Sequence, residues 1–281
     1  MLAELVDAKK PVSKKGLMQS SFLDQYATTA ALYDFVHPYR TRADVDFFVE
    51  LGRESGGPVL ELGCGTGRVL LPTARAGIDI TGLDASTAML DVCRGQLEGE
   101  PAEVRARVTL VQGDMRGINT DGSFSLVTLP FRPFQHLLRV EDQLACLESI
   151  YRRLAPGGRV VLDLFNPMLE RLAPGTPEAA FEDEREVELP DGRRMVRRGR
   201  VTAHDMAKQI ITAELVHEIK DQNGNTESIR QVMRLRYCFR FEAEHLLARC
   251  GFGLEALYSD YDKTPFGDKY PGEILCIAKK P

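Results

Sequence analysis

The chain has 281 residues, enough for one large domain or two small ones, and its 43% share of hydrophobic residues can fill a core. A net charge of −5 gives no overall attraction to nucleic acid or anionic membranes, so we expect small-molecule partners and no nucleic-acid or membrane partner. The six cysteines lie far apart with none in C-x-x-C spacing, and the opening MLAELVDAKK places its lysines after the apolar residues, the reverse of a signal peptide. We therefore predict a cytoplasmic protein with reduced thiols.

The N-terminal part divides into a polar tail and a helical cap. Residues 1–21 contain four lysines and are predicted to be a disordered tail. Between Phe22 and Leu51 the apolar residues recur at helical spacing, and Pro38 predicts a break between two helices. This segment is predicted to form a helical cap ahead of the first strand.

A strand, a glycine-rich turn and a helix follow in VLELGCGTGRVLLP, residues 59–72. Three glycines at alternate positions (63, 65 and 67) permit positive φ angles and leave no Cβ atoms between the backbone and a ligand, while the helix start offers unpaired N–H groups. The dinucleotide fingerprint G-x-G-x-x-G requires glycine where Arg68 stands. The turn therefore predicts a ligand site and disfavours a nicotinamide or flavin.

Strands and helices then alternate through most of the chain. Strands are predicted at Ile78–Leu83, Val108–Gln112, Phe124–Leu129, Arg159–Phe165, Leu254–Tyr258 and Glu273–Ala278. Helices are predicted from a Ser86 cap to about Leu97, at Val140–Leu154 and at Phe241–Cys250. With the strand before the glycine turn this makes seven strands, and the alternation is typical of a doubly wound α/β sheet.

Residues 166–240 depart from this alternation and read as an antiparallel β insert. Asp191-Gly192 and Asn223-Gly224 are hairpin signals between strands predicted at Glu184–Leu189, Arg193–Val201, Lys208–Lys220 and Thr226–Cys238. In the last strand an apolar face that includes Met233, Leu235 and Tyr237 alternates with arginines, which predicts that this face covers something. A roof over a substrate pocket and a homodimer interface are both open for that face.

The motif E-L-G-C-G-T-G, together with Asp84 after it, resembles motif I and its acidic partner in the class I methyltransferases, which bind S-adenosylmethionine. The resemblance implies a seven-stranded Rossmann-like sheet in which residues 22–165 form the cap and cofactor-binding half, and residues 241–281 complete the sheet. The insert between them loosely resembles the β-roofs of sugar-amine and natural-product N-methyltransferases. The cofactor-binding residues implied are Tyr33, Arg40, Glu61, Gly63, Cys64, Gly65, Gly67, Asp84, Ala85, Met89, Asp114, Met115 and Leu129.

Acidic residues at strand ends carry the implied cofactor contacts. Asp84 is predicted to accept the ribose hydroxyls, and Asp114 to receive the adenine amino group unless it serves as a helix cap. Glu61 is predicted to face the ammonium end, because a buried strand carboxylate without a partner would be costly. Tyr33 is expected over the sulfonium or the substrate and Arg40 beside the cofactor carboxylate; a core aromatic and a solvated arginine are the alternatives.

The segment LPFRPFQH after the fourth strand, residues 129–136, bears on the acceptor. It lacks the acid or amide with Pro-Pro of enzymes that methylate nucleobase or glutamine amines, the cysteine of cytosine C5 enzymes, and an acidic cluster for a divalent ion. Phe131 and Phe134 are predicted to wall the acceptor pocket, and His136 to remove a proton, although a lone histidine is often structural. His136 and Tyr33 are the candidate catalytic residues.

These observations predict a methyltransferase that transfers a methyl group from S-adenosylmethionine to an N or O atom of a small organic molecule, without a metal ion. Two alternatives are a non-catalytic S-adenosylmethionine-binding sensor or subunit, and an RNA methyltransferase. The RNA methyltransferase is disfavoured because residues 181–240 contain twelve Lys/Arg against eleven Asp/Glu. The insert is therefore nearly balanced in charge and offers no basic surface for RNA.

Overall fold

The protein is described by a computed structural model that covers residues 26–172 and 180–281. The predicted tail at residues 1–21 lies outside the described residues. The cap begins with a 3-10 helix at Ala30–Phe35 and continues with helices at His37–Arg40 and Val45–Ser55. Among the described residues, no helix combines the length and the apolar character needed to cross a membrane.

Seven strands form the main sheet, as the alternation predicts. They are β1 Val59–Leu62, β2 Ile80–Asp84, β3 Val108–Gln112, β4 Phe124–Leu129, β5 Leu154–Phe165, β10 Gly253–Tyr258 and β11 Glu273–Lys279. The strand order is β10-β11-β5-β4-β1-β2-β3. β11 is antiparallel to both of its neighbours and the other pairings are parallel. The carboxyl ends of β1 to β4 therefore meet at one edge of the sheet.

Helices and hydrophobic clusters cover both faces of this sheet. The longer helices are Leu70–Arg75, Thr87–Glu98, Val140–Arg153 and Arg240–Arg249, with short ones at Ala102–Arg105, Met115–Gly117, Pro133–His136 and Leu169–Leu172. Adjacent residues along a strand alternate between faces, so Leu60 and Val127 join one cluster while Val59 and Leu126 join the other. The predicted Ser86 cap is confirmed, since its side chain accepts a hydrogen bond from the Met89 amide.

The predicted insert is a separate antiparallel sheet of four strands in sequence order. The strands are β6 Ala180–Glu188, β7 Arg194–Asp205, β8 Ile210–Lys220 and β9 Thr226–Arg236. Both hairpin signals are confirmed, because Gly192 and Gly224 adopt positive φ angles of 79° and 87° in the connecting turns. One face of this sheet, including Met195 and Ile219, packs on Leu32 of the cap's 3-10 helix. The insert thereby fixes the helix that carries Tyr33.

Candidate functional site

A cleft opens where the carboxyl ends of β1 to β4 meet the cap. The empty space within it is about 930 Å³, a figure that includes the open solvent at its mouth. Its walls are built by Tyr26, Tyr33, Tyr39, Glu61, Gly63, Cys64, Gly65, Arg68, Val69, Leu83, Asp84, Ala85, Ser86, Met89, Gly113, Asp114, Met115, Pro130, Phe131, Pro133, His136 and Leu137.

The glycine turn lies at the floor of the cleft, and its three glycines serve two purposes. All have positive φ angles, which L side chains rarely adopt. A Cβ atom on Gly63 would lie 2.6 Å from Pro133 Cβ, and one on Gly67 would lie 2.8 Å from Cys93 Sγ, so these two glycines permit close packing. A Cβ atom on Gly65 would meet nothing nearer than the Tyr39 hydroxyl at 3.7 Å. Gly65 thus keeps the ligand side of the turn open.

Asp84 joins the glycine turn to the next helix. Its Oδ2 accepts the Gly65 amide at 2.8 Å and its Oδ1 accepts the Ser86 amide at 2.8 Å. Burial raises the pKa of Asp84, and these backbone hydrogen bonds offset part of that rise. Each carboxylate oxygen retains a second lone pair, so the group remains able to accept ligand hydroxyls.

Glu61 is a buried carboxyl group, and no neighbouring cation in the described residues fully neutralises its ionised form. Its side chain on β1 is 2% exposed, lines the cleft, and has one oxygen, Oε2, without a hydrogen-bond partner among the described residues. Burial raises the pKa of Glu61 to about 8, while the more distant charge of Arg68 acts to lower it. Such a group calls for a cationic ligand, because an ammonium beside it would satisfy both the oxygen and the charge.

Asp114 is placed for both of the roles that the sequence leaves open, a helix cap and a ligand-facing group. It caps the short helix at Met115–Gly117 by accepting the Arg116 amide at 2.9 Å, and it also lines the cleft beside Met115. Burial acts to raise the pKa of Asp114, but the hydrogen bonds and charge of Arg116 outweigh it and the net shift is downward. The carboxylate is therefore ionised and partly committed to Arg116.

The helical cap lines the cleft with tyrosines and is bonded to the glycine turn through Thr66. The Thr66 hydroxyl donates to Asp34 Oδ1 at 2.5 Å and lies 2.9 Å from the Tyr39 hydroxyl. The rings of Tyr33 and Tyr39 meet edge to face with centroids 4.4 Å apart, and burial raises the pKa of Tyr33 to about 12. Tyr33 thus presents a neutral aromatic wall, the predicted environment for a sulfonium.

The arginine at the cleft is Arg68, and the structure corrects the prediction for Arg40. Arg40 is exposed and is not among the cleft residues. Arg68 lies 4.6 Å over the Tyr39 ring and is held by Asp44, with Nη2 to Oδ2 at 2.6 Å. The sequence signal for it was its place directly after the last glycine of the turn. A guanidinium there, with Glu61 on the same cleft, suits the carboxylate and the ammonium of an amino-acid moiety.

The loop after β4 brings only part of the predicted acceptor wall to the cleft. Phe131 and His136 line it, whereas Leu129 and Phe134 are buried in the core at 0% and 1% exposure and do not. His136 Nε2 lies 3.1 Å from the hydroxyl of Tyr26 in the cap. Burial lowers the pKa of His136 to about 4, so its imidazole is neutral at physiological pH.

The predicted roof residues of β9 stand behind the cleft wall. None of Met233, Leu235 and Tyr237 is among the cleft residues in the described part of the chain. Met233 reaches it indirectly, because the Tyr26 hydroxyl donates to its Sδ at 3.7 Å. The Tyr237 hydroxyl instead lies 3.0 Å from His204 Nε2 within the insert. The insert supports the cap, and the cap forms the wall.

Comparison with known proteins shows which proteins this chain resembles. A family model described as "Methyltransferase domain" matches residues 59–158. Cypemycin N-terminal methyltransferase of Streptomyces sp is 34% identical over 161 residues, which is 57% of this chain and 60% of that protein. The CcbJ methyltransferase structure from Streptomyces caelestis is 26% identical with a TM-score of 0.72, covering 93% of this chain and 98% of that one. Residues 59–158 therefore match a methyltransferase domain, and both of these similar proteins are methyltransferases.

The cofactor of this methyltransferase is accordingly S-adenosylmethionine. A solved relative, the glycopeptide N-methyltransferase MtfA complexed with S-adenosylhomocysteine, is 25% identical with a TM-score of 0.55 over 83% of this chain and 87% of that one. The cleft residues fit the molecule, because Glu61 lacks a partner for one oxygen and Gly65 leaves ligand space above the turn.

Proposed function

We propose that this methyltransferase acts on an amine nitrogen of a small organic molecule. The observation that carries the proposal is His136, a neutral, half-buried imidazole on the cleft wall beside Tyr26 and on the same loop as Phe131. The sulfonium of S-adenosylmethionine supplies a methyl group that is already activated for transfer. The protein therefore has to hold a nucleophile in line with that carbon and exclude water.

The aromatic wall and His136 divide this task. The rings of Tyr33, Tyr39 and Phe131 lie within 4.4 to 6.5 Å of one another and shape a water-poor surface. Neutral imidazole offers one ring nitrogen as an acceptor, which orients an N–H of the acceptor so that its lone pair points away from the histidine. We propose Tyr33 as part of the wall and His136 as the group that positions the nucleophile.

The lowered pKa of His136 favours nitrogen over oxygen as the methylated atom. A base with a pKa of about 4 is a poor acceptor for the proton of an alcohol or phenol before attack. An amine in its neutral form is already nucleophilic and needs to lose its proton only after the new bond has formed. The cleft thus suits an acceptor that enters uncharged.

The names of three relatives support nitrogen, whereas two others are ubiquinone biosynthesis O-methyltransferases. The cypemycin enzyme is an N-terminal methyltransferase and MtfA is a glycopeptide N-methyltransferase. A further relative, 31% identical over 146 residues and 54% of that protein, is a dTDP-3-amino-3,6-dideoxy-α-D-glucopyranose N,N-dimethyltransferase of Streptomyces fradiae. An amine on a sugar or a peptide-derived natural product is therefore the first class to test.

Methyl transfer from labelled cofactor to a panel of small amines, phenols, carboxylates and a mixed RNA tests the proposal, with mass spectrometry of each product. We expect label in amines alone, at a rate that rises with pH as the amine loses its proton. Label in phenols or RNA but not in amines would contradict it. RNA labelling would restore the alternative that the balanced charge of the insert disfavours.

A histidine pair provides a matched test of the catalytic role. His136→Gln is expected to lower kcat at least about tenfold while leaving the affinity for S-adenosylhomocysteine within about twofold. His245→Gln, at an exposed position on another helix, serves as the control and should behave like the parent. A His136→Gln protein with parental kcat on its best amine would remove His136 from the mechanism.

A further inference from the structure

Six charged side chains form a network behind the cleft. Three arginines and three carboxylates belong to it: Arg42, Arg68, Arg132, Asp44, Asp163 and Glu273. Arg42 is the hub, because its guanidinium lies 3.0 Å from Glu273, 3.2 Å from Asp163 and 3.3 Å from Asp44. Only Arg68 of the six lines the cleft. The network is balanced in charge, and most of its members are remote from any ligand.

Asp163 is the member that contacts the loop after β4. Its side chain on β5 is 0% exposed. Its Oδ2 accepts the Phe131 amide at 2.8 Å and the Tyr261 hydroxyl at 3.0 Å, while its Oδ1 accepts from Arg42 at 3.2 Å. Arg42 Nη2 also lies 3.3 Å from Oδ2, so it bridges both carboxylate oxygens. An asparagine at this position would turn an NH2 donor toward either Arg42 or the Phe131 amide, and both of these are donors themselves.

The turn that Asp163 holds has an unusual backbone. Phe131 and Arg132 have φ angles of 60° and 72°, in the left-handed region that non-glycine residues rarely occupy. On the cleft side of this turn the Phe131 ring packs 5.3 Å from the Tyr39 ring and 5.6 Å from the Arg68 guanidinium. Pro133, at its end, packs against the α-carbon of Gly63. A shift of the turn would move both the wall and the floor of the cleft.

We propose that Asp163 is a positioning residue of the cofactor site, which holds the left-handed turn so that the Phe131 ring stands against the ligand. Asp163 itself touches no ligand and acts through the Phe131 amide, with Arg42 fixing its orientation. The inference depends on S-adenosylmethionine being the cofactor and not on which atom is methylated. It can therefore fail or succeed independently of the amine proposal.

A double-mutant cycle measured by calorimetry with S-adenosylhomocysteine tests this. Asp163→Asn in the parent is expected to weaken binding about fivefold or more, because in either orientation the NH2 group of asparagine faces another donor, either Arg42 or the Phe131 amide. Phe131→Ala should weaken binding by a similar factor. In the Phe131→Ala background, Asp163→Asn should then change the affinity less than about twofold, since the ring it positions is gone.

Glu273→Gln is the matched control. It removes another carboxylate from Arg42 in the same network but leaves the Phe131 amide paired with Asp163. Glu273 also accepts from the Arg132 guanidinium, which is a side chain of the turn and not its backbone, so the affinity should stay within about twofold of the parent. Three results would overturn the proposal: parental affinity in folded Asp163→Asn, parental affinity in Phe131→Ala, or equal losses for Asp163→Asn in both backgrounds. The last result would mean a general structural role.

A second measurement needs no Asp163 variant, and so decides the matter even if that protein does not fold. Selective ¹⁵N labelling of phenylalanine in the parent, with Phe131→Ala to assign the signal, reports hydrogen exchange at the Phe131 amide. We expect strong protection, because the amide donates to a carboxylate that is fully buried. Exchange at the rate of an open loop would show that Asp163 does not hold the turn.

Discussion

Binding of S-adenosylhomocysteine should release a proton from Glu61. Burial raises the pKa of this group to about 8, so in the ligand-free protein at pH 7 about nine-tenths of the molecules carry the proton. The ammonium of the ligand, placed beside the carboxyl group, favours the ionised form and lowers its pKa below 7. Up to about 0.9 proton per site should therefore leave on binding at pH 7, the full amount being reached when the pKa in the complex lies well below 7, and much less should leave at pH 9.

Calorimetry in two buffers of different ionisation enthalpy measures this release. The observed binding enthalpy should differ between the buffers in the parent, and the difference should disappear in Glu61→Gln, which cannot ionise. Glu61→Gln should also bind at least about tenfold more weakly, because it offers the ammonium no charge. Equal enthalpies in both buffers for the parent, or an undiminished difference in Glu61→Gln, would refute the assignment of Glu61 to the ammonium.

The same pKa makes a prediction about stability without ligand. Between pH 4.5 and about 8 the folded protein holds a proton at Glu61 that the unfolded chain has lost, so the free energy of unfolding falls as pH rises through this window. The full difference corresponds to about 5 kcal/mol at most. Glu61→Gln should thus be more stable than the parent at pH 9 and no more stable at pH 4, as denaturant titrations can show.

Three further predictions concern the turn, the sheet and the insert. Asp84→Ala should weaken binding of S-adenosylhomocysteine about tenfold or more in calorimetry, because charged hydrogen bonds are lost. Gly65→Val should abolish that binding and lower the melting temperature while the fold survives, since the side chain enters ligand space and the positive φ of 55° is strained for valine. Met195→Ala should cost about 2–5 kcal/mol in unfolding experiments and Val232→Ala under about 0.5, because Met195 is buried and Val232 is half exposed.

The regular elements could be predicted closely because each follows from a local pattern. β3 and β4 begin and end at the predicted residues, and the helix before β5 ends one residue earlier than predicted. The positions of the glycine turn, Glu61 and Asp84 could also be predicted from the sequence. The end of a buried strand fixes where the next side chains lie. The first residues of strands were harder to predict. The segment APGG, residues 155–158, has the composition of a turn, yet β5 already pairs with β4 from Leu154 across a bulge.

Side chains beyond those strand ends depend on contacts distant in sequence. The left-handed pair at Phe131 and Arg132 reverses the local alternation, so Phe131 faces the cleft while Phe134 enters the core, and no glycine marks the change. The choice of Arg68 over Arg40 follows from its ion pair with Asp44, twenty-four positions away. Neither relation has a signature in the segment itself.

The wall of the cleft is built in two layers, and this arrangement determines which residues should set the preference for an acceptor. The described wall residues come from the cap and the loop after β4, while β7 and β8 support the cap from behind through Leu32. A substitution at Met195 or Ile219 therefore acts on the acceptor by moving the cap, and should change stability together with KM. A substitution at Tyr26, whose hydroxyl lies between His136 and Met233, acts directly on the wall. Acceptor preference that changed with insert residues at constant stability would require the insert to reach the cleft itself.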